Sequence, residues 1–293
     1  MTMPADKARL LEEIVAALTG VPKLETVALG GSHARGTHTP RSDLDIGLHY
    51  READPFAIAD IRDIAERFSV GGPPTVTEFY GWGPFVNGGA WIVNPVCKVD
   101  FLYRNLDQLD GTIAAARRGE WQHSFDQHPP FGFRSVTMLG EIHCARPVFD
   151  PKNVLGPLKD AVAIFPSALK TRIIQDTLGC AEFAFVHARE FAKSGDIPNT
   201  VACMTRIYHY LIQALFALNE VYFMNDKRVM AEIETFAQKP AGFAEWVSAI
   251  LASAGATAEA LLAALNILDS VFTDTVALAE GNYVRRFNPP LQR

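Results

Sequence analysis

The sequence predicts an α+β fold in two parts, a mixed-sheet domain over residues 1–125 and a helical bundle over residues 126–293. Three observations predict it. Apolar and polar residues alternate with period two in residues 44–48 and 96–103, the mark of strands buried on one face. Beyond Phe133 the chain becomes Ala- and Leu-rich, with apolar residues at helical spacing and few strand signals. Between these regions, residues 119–133 concentrate His, Pro, Gly and aromatic residues, as a boundary or substrate-facing loop does.

Leu10, Leu11, Ile14, Val15 and Leu18 share one helical face, so residues 5–18 read as a helix closed by Gly20. Residues 27–29 form a short apolar strand that runs into Gly30, Gly31 and Ser32. Leu44, Ile46 and Leu48 then alternate with Asp43, Asp45 and Gly47, giving the second strand. A helix over 57–68, a Gly/Pro loop over 71–74 and a strand over 75–80 follow. Asn87-Gly88 signals a hairpin turn before the strand at 96–103, and a helix over 107–118 ends at Gly119. Further helices are expected at 136–144, 167–193, 200–223, 241–252 and 257–279.

Composition bounds the function. With 48% hydrophobic and 20% charged residues, the 293-residue chain has ordinary globular composition and length for two cores. No apolar run approaches the roughly 18 residues of a membrane span, and the N-terminus enters a charged helix directly, so neither a span nor a signal peptide is expected. Cys97, Cys144, Cys180 and Cys203 are widely spaced without CxxC or zinc spacing, which fits reduced thiols and a cytoplasmic location. A formal charge of −6 and the lack of any Lys/Arg run argue against an extended nucleic-acid groove.

The chemistry concentrates in Leu29-Gly30-Gly31-Ser32-His33-Ala34-Arg35-Gly36 and Ser42-Asp43-Leu44-Asp45-Ile46. Paired glycines and a serine after a strand allow close backbone approach to phosphates. Magnesium requires hard carboxylate oxygens, and two metals can clamp the attacking and leaving oxygens of an in-line displacement. Asp43 and Asp45, at i and i+2, share one face of a strand while Leu44 and Ile46 enter the core. In the strand at 96–103, Val99, Phe101 and Tyr103 face inward with Cys97, leaving Lys98 and Asp100 on the other face. An aspartate in so apolar a strand is costly unless paired or metal-bound.

Gly31-Ser32, ten intervening residues and Asp43-Leu44-Asp45, followed by Val99-Asp100-Phe101-Leu102-Tyr103, resemble the signature of the polymerase-beta-like nucleotidyltransferase superfamily. The two-part layout is similar to that of aminoglycoside and lincosamide nucleotidyltransferases, a softer likeness carried by His128-Pro129-Pro130-Phe131-Gly132, residues 140–151 and residues 218–223 with Lys227. The resemblance implies a small mixed sheet flanked by helices, with Mg²⁺ and an NTP, ATP being the expected one, at the glycine turn. By resemblance Asp43 and Asp45 bind metal, Asp100 is a metal ligand or helps activate the acceptor hydroxyl, and Ser32 contacts the triphosphate beside Gly31. It also favours Lys227 as a phosphate-binding group. The sequence departs from some antibiotic-modifying relatives in their helical-domain glutamate base; Glu141 and Glu182 are the candidates, and the base stays open.

Other residues carry two readings each. Arg35 steadies a phosphate or pairs with Asp43, and Lys98 neutralises the carboxylates or forms a surface ion pair. His33 and His38 are expected to be solvated turn histidines, while His123 and His128 line either a cleft or a loop. Tyr80, Trp82, Phe85 and Trp91 pack on the sheet or stack on a base. The expected reaction is transfer of a nucleoside monophosphate to a hydroxyl of a small molecule, an antibiotic being one candidate. The alternatives are nucleotidylation of a tRNA or protein, and a nucleotide-binding module without catalysis.

Overall fold

The computed structural model describes residues 3–287. The chain divides into two compact units, the first made by the described residues up to Ala115 together with Gln122–Ile164, the second by Ala116–Trp121 and the described residues from Phe165 onward. In chain order the first region contains α1 (Ala5–Leu18), β1 (Thr26–Leu29), α2 (Gly31–Arg35), β2 (Leu44–Tyr50), α3 (Ile58–Phe68), β3 (Thr75–Val76), β4 (Gly89–Val93), β5 (Lys98–Asn105) and α4 (Leu106–Arg117). It continues with β6 (His123–Ser124), β7 (Phe133–Arg134), α5 (Val136–Cys144), β8 (Arg146–Phe149) and α6 (Leu155–Ala161). The second unit carries α7 (Ser167–Lys193), α8 (Ile197–Leu218), α9 (Val229–Ile233), α10 (Phe243–Ala252) and α11 (Ala258–Leu278). The expected α+β architecture is present.

Six strands form one mixed sheet in the order β3-β4-β5-β2-β1-β8. The β2–β5 pair is parallel, and the other neighbours are antiparallel. Period-two patterning explains its two faces. Val27, Leu29, Leu44, Ile46, Leu48, Val99, Phe101 and Tyr103 are buried on one face, with Leu10, Ile14 and Leu18 of α1 and Ile61, Ala65 and Phe68 of α3 in the same core. Each such side chain contributes about 1.5–3 kcal/mol by leaving water, so β2 and β5 form a stiff base. The other face carries Asp45, Gly47 and His49 of β2 and Lys98, Asp100, Leu102 and Arg104 of β5.

The boundary expected at 125/126 differs from this division, because residues 122–164 pack with the sheet. There β8 adds to the sheet edge beside β1, and the Thr26 hydroxyl donates to the Phe149 carbonyl at 2.8 Å. Arg104 also holds Glu141 of α5 through Nε–Oε2 and Nη2–Oε1 bonds of 2.7 and 2.8 Å. Pro147 hides β8 from a pattern reading, since proline is tolerated in a strand only at an edge or bulge. The strand expected over 75–80 stops at Val76. Tyr80 turns at φ 60° and its hydroxyl accepts from the Asn105 amide at 2.9 Å. Asn87 and Gly88 do form a positive-φ turn, and the buried Asn87 side chain accepts from the Asn105 N–H at 3.0 Å.

Helices α8 and α11 are long and apolar enough to cross a membrane by length and composition, although no such run was evident from sequence spacing. In the structure 61% of the most apolar window of α8 is buried, with Met204, Ile207, Leu211, Ile212 and Leu215 among its core residues. Much of its apolar surface is therefore consumed by packing within the helical unit.

Candidate active site

Register builds the site. The parallel β2–β5 ladder sets Asp45 directly beside Asp100, and the antiparallel β4–β5 ladder sets Trp91 beside Asp100. Directly paired residues point to the same face, so Trp91, Asp100 and Asp45 form a row across three strands. The Gly30 N–H extends the row by donating to the Asp45 carbonyl at 2.7 Å. All three row side chains lie opposite the core, and none is fully buried.

The turn after β1 is shaped for close approach. Gly31 adopts φ 54°, and a Cβ there would fall 1.7 Å from Asp45 Oδ2 and 2.6 Å from its Cγ. Glycine is thus required twice, by the left-handed backbone and by the carboxylate. The short helix α2 starts at Gly31 and ends at Gly36, whose φ is 71°. The N–H groups of its first turn lack an intrahelical acceptor, as at any helix start. Ser32 and Arg35 both lie on α2, and each is partly exposed.

A residue the sequence reading missed fixes the next segment. Lys7 of α1 is 3% exposed, and its ammonium donates to the Pro40 carbonyl at 2.9 Å and to the Ser42 carbonyl. The Thr39 N–H also donates to the Ser42 hydroxyl at 2.9 Å. These bonds pin the turn that delivers Asp43, which sits one residue before β2 begins. The signal in the sequence was a lysine on the apolar side of an amphipathic helix, where a charge must find partners.

Two histidine expectations change. His33 and His38 are 2% and 6% exposed, not solvated, and their rings stack at 4.4 Å. Burial, then the neighbouring His38 and Lys7, push the His33 imidazole below its usual range. His123 Nε2 lies 2.7 Å from the Phe131 carbonyl, and burial lowers the pKa of His128. Both belong to the packed loop that carries β6 and β7. A 440 Å³ cavity includes Leu11, Leu29, His33, His38, Arg146 and Val148 in its lining and is bordered by none of the three aspartates, so it is separate from the acidic row.

The two candidate bases are occupied elsewhere. Glu141 binds Arg104 bidentately. Glu182 is buried and accepts from the Tyr283 hydroxyl at 2.5 Å, the Arg286 N–H at 2.8 Å and the Phe287 N–H at 3.1 Å. Lys227 is exposed on the second unit, in the turn before α9, where its N–H donates to Asn225 Oδ1 at 2.9 Å.

Among the described residues, no group of three or more His, Cys, Asp and Glu side chains is gathered as a metal cage. The structure pairs Asp45 with Asp100 and leaves Asp43 in the adjoining turn. That pair is hard-oxygen chemistry, and the lack of a Cβ at Gly31 makes room for the Asp45 carboxylate, which lies against the glycine turn. Such a donor set suits a Mg²⁺ that retains waters and gains further oxygens from a substrate phosphate.

Residues 9–74 match the family model described as nucleotidyltransferase domain. That segment spans β1, the glycine turn, Asp43 and Asp45, and it makes the chain a transferase. No curated protein matches the chain in sequence. Among solved structures, a nucleotidyltransferase-like protein from Exiguobacterium sibiricum 255-15 is similar at 12% identity and a TM-score of 0.47, over 94% of this chain and 77% of that one.

Proposed function

We propose that this protein transfers a nucleoside monophosphate from an NTP, with ATP as the expected donor, to a hydroxyl of a small-molecule acceptor. The observation that carries the reading is the Asp45–Asp100 pair, in register on adjacent strands beside Gly31. In this reading Asp45 and Asp100, with Asp43 from the adjoining turn, would hold Mg²⁺. Bound Mg²⁺ would neutralise the phosphate charge and orient the α-phosphate.

Gly31 and Ser32 receive the triphosphate through backbone N–H groups and the serine hydroxyl, with Arg35 as a phosphate-binding cation. The acceptor oxygen bonds to the α-phosphorus as the bond to the α–β bridging oxygen breaks, and pyrophosphate leaves. The hydroxyl proton passes to the Asp100 carboxylate and on to solvent. Glu141 and Glu182 take no part, because their oxygens hold Arg104 and the segment at 283–287.

The test incubates the full chain with each α-labelled NTP and Mg²⁺ against hydroxylated small molecules, including ring-bearing antibiotics, and against tRNA and protein. Label on a small molecule, lost in Asp45→Asn, supports the reading. Label confined to tRNA or protein replaces it with the macromolecular one. Nucleotide binding without label on any acceptor leaves a non-catalytic module.

A further inference from the structure

We infer that the indole of Trp91, backed by Trp82, forms the floor of an acceptor subsite, and that the acceptor is a small hydroxylated ring lying flat on it. The inference rests on the transfer reading above and adds the substrate class. Its first support is the direction of the row. From one side to the other it runs Gly31, Asp45, Asp100, Trp91. In-line displacement requires attacking and leaving oxygens on opposite sides of phosphorus. A triphosphate at Gly31 puts pyrophosphate at one end of the row, so the attacking hydroxyl enters at the other, where Trp91 stands.

The second support is that Trp91 does not serve the core. It is 52% exposed on the face opposite the buried residues, and Val93, next along that face, is exposed too. The Trp82 ring stacks on it at 4.5 Å with an interplanar angle of 23°. Gly89 makes this possible, since a Cβ there would fall 2.8 Å from Trp82 Cζ3 and 1.9 Å from the Phe101 carbonyl oxygen. One indole is thus propped by another, at a strand position paired with that of Asp100.

The arrangement selects the ligand class. The two indoles already stack on each other, so they offer an outer surface and not a slot for an intercalated base. A saturated or flat ring can cover that surface while a hydroxyl on its rim reaches Asp100. An acyclic polyol offers the hydroxyl without the face.

The test labels the full chain with 5-fluorotryptophan and assigns the Trp91 fluorine signal with Trp91→Phe. Methyl α-D-glucopyranoside and D-glucosamine are titrated with Mg²⁺, against sorbitol and a short single-stranded RNA with a free 3′ hydroxyl. A saturable shift of the Trp91 signal with a ring probe, at least tenfold weaker with sorbitol and RNA, is expected. With any ring acceptor that becomes labelled, Trp91→Ala should raise the acceptor KM roughly tenfold, leave the NTP KM unchanged, and be largely rescued by Trp91→Phe. The inference is overturned if no ring probe moves the signal, if sorbitol or RNA moves it equally, or if Trp91→Ala leaves the acceptor KM unaltered. A ring-specific shift without label transfer upholds the subsite and removes the transfer reading. Transfer without a shift does the reverse.

Discussion

Gly31→Ala tests whether the glycine turn acts through the Asp45 carboxylate. The added methyl would lie 1.7 Å from Asp45 Oδ2, whereas ordinary contacts fall at about 3.5 Å, so the carboxylate must retreat by nearly 2 Å. A misplacement of about 1 Å at a reacting centre can cost on the order of 100-fold, so transfer should fall at least 100-fold, about 2.7 kcal/mol of barrier. The φ of 54° adds about 1–2 kcal/mol of strain to the folded state. Gly36→Ala is the control: its φ is 71°, and nothing lies within 4 Å of a Cβ there. Both variants should lose thermal stability to the positive-φ strain, Gly31→Ala the more because of its clash, and only Gly31→Ala should lose transfer. Initial rates of label transfer and Tm, measured on both, decide the matter. Equal activity losses would refute a specific displacement of Asp45, and a Gly31→Ala protein of near wild-type rate would refute the geometry altogether.

Asp45→Asn and Asp100→Asn should each lower transfer by orders of magnitude while calorimetric NTP binding weakens far less, since backbone donors at the glycine turn remain. Lys7→Met should lower the urea midpoint by the equivalent of about 1–3 kcal/mol with little change in m, because the Pro40 and Ser42 carbonyls lose their buried donor. His49 is buried, and desolvation followed by the Arg104 charge drops its pKa from 6.5 to about 4. The unfolded chain therefore binds more protons between these values, so stability is full above pH 6.5 and is lost as pH falls toward 4, by up to about 3 kcal/mol. His49→Gln should flatten that slope in pH-dependent urea unfolding.

Much of the sheet was legible because β2 and β5 bury one face and alternate cleanly, so their period predicts which side chains point away from the core. The register was not legible. That Asp45 and Asp100 become neighbours follows from a parallel pairing which neither strand encodes alone, and Trp91 joins them through β4, a strand absent from the sequence reading. Helices α1, α5 and α7 have the expected bounds, since amphipathic spacing is local. By contrast, β8 was hidden by Pro147, whose cost depends on the edge position that only the assembled sheet reveals. His33, His38 and Lys7 were misjudged or missed for a shared reason. Polar residues read as solvated until the packing that surrounds them is known.

The acidic row lies on strands whose reverse face is strongly apolar. Like charges directly opposed across a sheet destabilise it by about 0.2–1 kcal/mol, and Asp45 and Asp100 are opposed in this way. On the reverse face of the same two strands, Leu44, Ile46, Leu48, Val99, Phe101 and Tyr103 are buried, each contributing about 1.5–3 kcal/mol. The core therefore exceeds the repulsion several-fold, and the carboxylates can be held at strand spacing instead of splaying apart. This arrangement gives the acids a stability signature that separates them from structural ones. Removing a carboxylate that anchors a loop lowers Tm, whereas removing one member of a repelling pair held ready for a cation leaves Tm unchanged or raises it. In Asp100→Asn, activity and stability should therefore move in opposite directions without metal, and added Mg²⁺ should raise Tm in the wild type more than in the variant. If Asp100→Asn instead loses several degrees in Tm, Asp100 is part of the scaffold and repulsion does not dominate the pair.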